Sequence, residues 1–210
     1  MPLQNRVTPF GKIIATPARG AWTGNRGVIH RNKQIIRSFK TQYWITCTLH
    51  YKDFRRQVMT ENRWTELFFL DEATAFAAGH RPCAFCRNSD FKRFKAAWIT
   101  ANAITHPLLN EKITTIDAIL HVERITPTGE KVTYTDTIKN LPNGTMITMY
   151  DPSKSYLLHK ENLWEWSPAG YIATQPAQKE MQVKVLTPKS IVETFRQGYL
   201  PQTHNSISLS

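Results

Sequence analysis

The sequence has few cysteines, no long apolar run and no secretory leader. Only 3 of its 210 residues are cysteine, so the disulfide framework that holds many small secreted domains together is excluded. No stretch approaches the roughly 20 apolar residues of a transmembrane helix, and the opening MPLQNRVTPFGK lacks a signal's apolar segment. We therefore expect a cytoplasmic protein without a membrane partner. In that reducing compartment a Cys-x-x-Cys pair is more often a metal or redox site than a disulfide.

Recognisable enzyme motifs are also missing. The segment 19–27 carries three glycines, but it lacks the Gly-Lys-Ser/Thr ending of a phosphate-binding loop. No dinucleotide fingerprint, paired-carboxylate motif, internal repeat or low-complexity linker is present. The chain is 41% hydrophobic with 6 Trp, 7 Tyr and 10 Phe, which is enough for a packed core. We predict a single body over 1–210, with an embedded module at 43–95, an α+β remainder at 96–200 and a flexible tail at 201–210.

Acidic residues are scarce in the first third of the chain. Residues 1–64 hold 12 Lys/Arg against 2 Asp/Glu, whereas residues 96–210 hold 10 of each, so most of the net charge of +11 is confined to one region. A confined basic block indicates a polyanionic partner, above all nucleic acid. An anionic membrane surface, an acidic protein or a merely solvated basic face are the alternatives. The side chains expected to contact phosphates or, for the tryptophan, a base are Arg19, Trp22, Arg26, Arg31, Arg37 and Lys40.

Hydrophobic patterning predicts an α+β fold. Strands are expected at 12–16, 43–49, 54–60 and 65–70, and Asp71 is placed to cap an alanine-rich helix that ends before Gly79. Further helices are expected at 90–102, 111–125 and 189–197, and the region between the last two reads as mostly β. The predicted architecture is a small zinc-knuckle module embedded in a mixed, mostly antiparallel β body with about four helices.

The cysteines have the spacing of a metal site. In Cys83-Ala84-Phe85-Cys86 one tight turn can aim two thiolates at the same ion. Cys47 and His50 form a second pair with two residues between them, so we predict a zinc ion held by Cys47, His50, Cys83 and Cys86. Positions 47 and 50 of a straight strand face opposite sides. The chain must therefore turn near His50, or His80 must serve instead; three buried, unliganded cysteines are the remaining alternative.

The stretch FFLDEATAFAAGHRPCAFCR, within residues 66–90, resembles the zinc-binding region of Ada-type DNA repair proteins. In that family a strand and an alanine-rich helix lead into Gly-aromatic-Arg-Pro-Cys-x-x-Cys-Arg. The matching positions are Phe68, Glu72, Ala73, Ala77, Ala78, Gly79, Arg81, Pro82, Cys83, Cys86 and Arg87.

The resemblance implies a zinc site held against DNA rather than RNA, with Arg81 and Arg87 among the basic residues that contact the backbone. In the Ada type four cysteines bind zinc and an upstream thiolate accepts a methyl group from a DNA phosphotriester, a role that would fall to Cys47. This sequence departs from the pattern because the upstream Cys-x3-Cys pair is absent and His80 replaces the aromatic residue. We therefore retain zinc and DNA as expectations and leave methyl transfer aside.

Catalysis is a second possibility. His121 and Glu123 belong to the densest polar cluster outside the cysteine region, and His30 lies in the basic third, where it could act as a general base near bound phosphates. The first hypothesis is thus a zinc-dependent DNA-binding protein of repair or defence. The alternatives are a DNA-processing hydrolase, such as a nuclease or glycosylase with a structural zinc, and a zinc-stabilised protein-interaction domain.

Overall fold

The computed structural model describes residues 1–52, 57–107 and 112–208. The strands of the N-terminal part are β1 (Gln4–Val7), β2 (Ile13–Ala15), β3 (Trp22–Asn25), β4 (His30–Arg31), β5 (Gln34–Ile35), β6 (Ile45–Thr48), β7 (Leu67–Phe69) and β8 (Arg81–Pro82). Those of the C-terminal part are β9 (Tyr134–Thr137), β10 (Met146–Thr148), β11 (Tyr156–His159), β12 (Asn162–Ser167), β13 (Gly170–Pro176) and β14 (Gln182–Val185). The helices are α1 (Glu72–Ala77), α2 (Asn88–Asn102), α3 (Ile113–Arg124) and α4 (Lys189–Arg196), with short 3-10 turns at Ile138–Asn140 and Asn205–Ser208.

Two six-stranded sheets form the body, so the predicted α+β class is confirmed. The first has the order β2-β1-β7-β3-β6-β8; the β1–β7 and β6–β8 pairs are parallel, and its other pairs are antiparallel. The second, in the order β13-β12-β11-β10-β14-β9, is antiparallel throughout. Strands β4 and β5 form a separate hairpin.

The strand predicted at 54–60 is not found in its described part. Residues 54–56 lie outside the described ranges, and residues 57–60 form turns instead of a strand. Met59 has φ +55, which a strand cannot accommodate. Its backbone N–H donates to the carboxylate of Glu66 rather than to a neighbouring strand.

Helix α1 lies at the centre of the molecule, and all six of its residues are buried. Ala73 and Ala77 pack against the second sheet, while Ala75 packs against the first. Phe76 instead joins the apolar cluster of the other helices. A helix that is buried on every side belongs to the core, and the alanines of α1 are small enough to let both sheets approach. Its N-cap is Asp71, as predicted, which accepts from the Thr74 N–H at 2.8 Å.

Gly79 follows α1 and cannot be replaced freely. It has φ +84, and a Cβ placed on it would lie 2.4 Å from Cδ of Arg124. Both the left-handed backbone and the close approach of α3 therefore require glycine here.

The C-terminal segment differs from the flexible tail expected over 201–210. Glu72 N–H donates to the Gln202 carbonyl at 3.0 Å, and Gln202 N–H donates back to the Glu72 carboxylate at 2.9 Å. His204 N–H similarly reaches Asp71 at 3.1 Å. The buried acids of the α1 start need hydrogen-bond donors, and residues 202 and 204 supply them.

None of the described helices has the length and apolar character to cross a membrane.

Candidate metal centre

Strand pairing brings the three cysteines together. Cys47 lies on β6, which pairs in parallel with β8 through Thr46 and Pro82. The ladder continues one residue further, because Cys83 N–H donates to the Thr46 carbonyl at 2.9 Å. Cys83 therefore emerges beside Cys47, and the turn that leads into α2 returns Cys86 to the same place.

The three sulfurs all lie within 4.8 Å of one another. Backbone N–H groups of Phe85 (3.4 Å) and Cys86 point at Sγ of Cys83, and the Thr48 N–H points at Sγ of Cys86. Such donors orient thiolate ligands and stabilise their negative charge. Cys47 and Cys83 are buried and Cys86 is half-buried, so the cluster is largely shielded from water.

The sulfurs compete for negative charge. Hydrogen bonds from the Cys47 and Cys86 thiols lower the pKa of Cys83, and the same contact with Cys83 raises the pKa of Cys47. One thiolate is thus favoured beside two thiols. A divalent cation would let all three bind as thiolates, since metal binding displaces thiol protons. The donor set fits a soft or borderline metal such as zinc.

The two candidate histidine ligands occupy different places. β6 ends at Thr48, so the chain does turn before His50, which is exposed in the following loop. Among the described residues no further Cys, His, Asp or Glu lies within 4.8 Å of all three sulfurs. His80 is fully buried elsewhere: its Nε2 accepts from Arg26 at 3.2 Å, and its ring packs on Trp44 and Phe69. His80 therefore has a role in the core and is not placed to be a ligand.

Buried ion pairs hold the flanks of the cluster. The Arg81 guanidinium meets Asp117 of α3 in a bidentate pair, with both N···O distances 2.7 Å. Arg87 contacts Glu72 at 2.5 Å and also donates to Thr46 Oγ1 at 2.9 Å. The structure thus corrects the expectation for Arg81 and Arg87: both are buried and paired with carboxylates, so neither is presented to a DNA backbone.

The other predicted nucleic-acid contacts divide by exposure. Trp22 is half-buried, and the Arg87 guanidinium lies 4.1 Å from its ring centroid. Arg26 is only 2% exposed, so it does not lie on the open surface with the other cations expected to contact phosphates. The exposed members of the set are Arg19, Arg31, Arg37 and Lys40.

The three catalytic candidates have separate surroundings. His30 is buried, with Nδ1 2.6 Å from Thr65 Oγ1. His121 packs edge-on against Phe39 and contacts Arg124. Glu123 accepts hydrogen bonds from the N–H and hydroxyl of Ser190 at the start of α4 (3.1 and 2.6 Å), and burial raises its pKa. Each of them has a structural partner, and the contacts do not join them into one catalytic group.

Sequence reasoning missed the contacts that support the cluster. Thr46, Glu72 and Asp117 hold Arg81 or Arg87 in place. Glu72 was noted as a matching position of the Ada-type resemblance, but its contact with Arg87 was not predicted. Nothing near Asp117 in the sequence marks it as buried.

Comparison with known proteins adds no relative: no protein family, no curated protein and no solved structure matches this chain. The likeness to Ada-type proteins therefore stays a local resemblance of residues 66–90.

Proposed function

We propose that this chain is a zinc-binding protein that binds DNA. The observation that carries the proposal is the convergence of Cys47, Cys83 and Cys86 within 4.8 Å, with backbone N–H groups directed at their sulfurs. Three thiolates leave one position of a tetrahedral zinc site. We assign that position to His50, which is exposed and follows Cys47 by three residues along the chain; its ring would have to move toward the sulfurs when the metal binds.

Charge and exposure support the DNA part of the proposal. Arg19, Arg31 and Lys40 are exposed side chains of the basic first third, suited to phosphate contacts. Phe85, between the two cysteines of the knuckle, is 73% exposed, and Trp64 is 63% exposed. Exposed aromatic rings beside cations are the usual platform for stacking on unpaired bases.

Metal analysis tests the zinc site. Mass spectrometry of the purified wild type should find one zinc per chain, and Cys83→Ser and Cys47→Ser should lose it. His50→Ala should bind zinc more weakly in competition with a chelator. His159→Ala, a histidine of β11 in the other sheet, is the matched control and should behave as wild type. A metal-free wild type, prepared without chelators, would contradict the proposal.

Salt dependence tests the DNA part. We expect the fluorescence anisotropy of a labelled oligonucleotide to show binding that weakens steeply between 50 and 200 mM salt. In a plot of the logarithm of the binding constant against the logarithm of the salt concentration, each neutralised phosphate should contribute about −0.9 to the slope. A combined Arg19→Gln, Arg31→Gln, Lys40→Gln variant should lower that slope by roughly 2 to 3. The control is Lys160→Gln, Lys179→Gln, Lys184→Gln, which removes the same charge from exposed positions of the C-terminal part. If both variants lost the same amount of DNA affinity and salt dependence, the binding would be due to net charge alone.

A further inference from the structure

A second site lies in a cleft that shares no residue with the cysteine cluster. The cleft has a volume of about 630 Å3 and lies between β2, β5, the end of α3 and the turn at 129–131. Its walls are largely apolar, with Phe10, Ile13 and Ile35 among them. Clefts of roughly 300–1,000 Å3 are the size that takes small organic ligands.

The charged residues that line the cleft are nearly all cations. They are Lys12, Arg26, Arg37, Arg124 and Lys131, against the single carboxylate of Glu130. Lys12 and Arg37 are exposed, whereas Arg26 and Arg124 are each only 2% exposed. The cleft therefore has exposed cations at its mouth and buried cations at its base.

The hydrogen-bond partners of the buried Arg26 and Arg124 and of the half-buried Lys131 are all neutral. Arg26 donates to the Gly11 carbonyl (3.0 Å) and to His80, Arg124 to the Gly79 and Gln42 carbonyls, and Lys131 to the Ala77 carbonyl. No salt bridge within residues 1–52, 57–107 and 112–208 includes Arg26, Arg124 or Lys131. This contrasts with Arg81 and Arg87, which have carboxylates.

The guanidinium of Arg26 keeps an unused donor. Its Nη2 is buried and has no hydrogen-bond partner in the described part of the chain. It lies near Gly11, where a side-chain Cβ would stand 3.8 Å away. The Trp44 ring is shared by two guanidinium groups, with Cζ of Arg26 3.9 Å and Cζ of Arg124 4.0 Å from its centroid. Trp44 thus positions the cations, and the free donor of Arg26 lies beside Gly11 in the wall of the cleft.

Several cations that lie close together, largely shielded from water and without a carboxylate in direct contact, oppose folding. Burial lowers the pKa of Arg26 to about 9, and burial together with Arg26 and Arg124 lowers the pKa of Lys131 to about 7. A bound anion with several oxygens would supply the missing acceptor and the missing negative charge.

We propose that this cleft binds a phosphate monoester, the phosphate of a free nucleotide or of a nucleic-acid end, with Arg26 at its base and Lys12 and Arg37 at its mouth. A phosphate carries close to two negative charges and three acceptor oxygens, which suits a group of several cations. The apolar walls would contact the organic part of the ligand. The inference does not depend on the zinc and DNA proposal, because the two sites have different residues.

Calorimetry on the full chain as purified tests the inference with four probes. These are a nucleoside 5′-monophosphate, the same nucleoside, and one oligonucleotide with either a 5′-phosphate or a 5′-hydroxyl. For each phosphorylated probe that binds, we expect an affinity on the order of tenfold or more above that of its unphosphorylated counterpart. Binding of the mononucleotide indicates a free nucleotide as ligand, and a 5′-phosphate effect confined to the oligonucleotide indicates a strand end. Equal affinity with and without the phosphate, or no binding of any probe, overturns the proposal.

Variants at the mouth separate this site from general charge effects. Lys12→Gln and Arg37→Gln are exposed changes that should leave the fold intact, and each should weaken binding of the phosphorylated probe on the order of tenfold. Lys92→Gln, an exposed position of α2, removes the same charge and should have no effect. Melting temperatures give an independent measure. The melting temperature of the wild type should be higher in inorganic phosphate than in chloride at equal ionic strength, and this increase should be smaller for Arg37→Gln. Equal responses of the Lys12, Arg37 and Lys92 variants would refute the site.

Discussion

The ion pair between Arg81 and Asp117 should be among the polar contacts near the cysteine cluster that are most costly to break. Asp117→Asn keeps the shape of the side chain but removes the charge opposite a guanidinium. Both side chains are nearly inaccessible, at 7% and 1% exposure. Breaking one partner of such a buried pair costs about 3–5 kcal/mol, because the remaining charge stays buried without compensation. At about 2–4 °C per kcal/mol for a chain of this size, the melting temperature should fall by roughly 6–20 °C.

Urea unfolding of the purified full chain measures the effect directly. We expect the urea concentration at the midpoint of unfolding to fall. The slope of the unfolding free energy against urea concentration should stay unchanged, because the substitution lowers stability without changing compactness. The control is Glu180→Gln, whose pair with Lys139 has a similar distance, 2.7 Å, but is 78% and 50% exposed. That change should cost no more than about 1 kcal/mol. If Asp117→Asn cost no more than Glu180→Gln, the argument that Arg81 is held by buried charge would be refuted.

Three further predictions concern backbone strain, metal and pH. In urea unfolding, Gly79→Ala should lower the free energy of unfolding by several kcal/mol and Gly129→Ala by about 1 kcal/mol. Both glycines have positive φ, but of the two only Gly79 would place its new Cβ against another side chain. Equal losses in the two variants would contradict this reasoning. A zinc chelator should lower the melting temperature of the wild type but not of Cys83→Ser, and a wild type that ignores the chelator would argue against a structural metal. Raising the pH from 7 to 9 should increase the free energy of unfolding more in the wild type than in Lys131→Met. Burial lowers the pKa of Lys131 from 10.5 to about 7, so between those values only the unfolded lysine binds a proton; identical pH profiles would exclude this explanation.

Short-range patterns predicted much of the candidate site. The Cys83–Cys86 spacing and the apolar strand around Cys47 are local features, and so is the Asp71 cap of α1. Each of them depends on residues within a few positions of one another, so their geometry follows from one turn, one strand or one helix start. The meeting of Cys47 with Cys83 was predicted from zinc chemistry, and the β6–β8 pairing supplies its structural reason.

The burial and the partners of the charged side chains were not predictable in the same way. A count of lysines and arginines treats each as exposed, but Arg26, Arg81 and Arg87 are buried. The partner of Arg81 is 36 residues away on another helix, and no spacing rule connects them. Burial of a charge depends on which distant segments pack around it, and this is a property of the whole fold. For the same reason the order of residues 202–204 could not be read from their polar composition.

The contact between Glu72 and the C-terminal segment has a consequence for biosynthesis. Tyr199, whose hydroxyl donates to Glu72 at 2.9 Å, follows it by 127 residues. At about 5–20 residues per second, a ribosome makes the two roughly 6–25 seconds apart. During that interval the acid that orients Arg87 lacks one of its donors, so the nascent chain cannot complete the centre of its core. The cysteine module should therefore reach its final packing only after Tyr199 has been synthesised, 113 residues after Cys86.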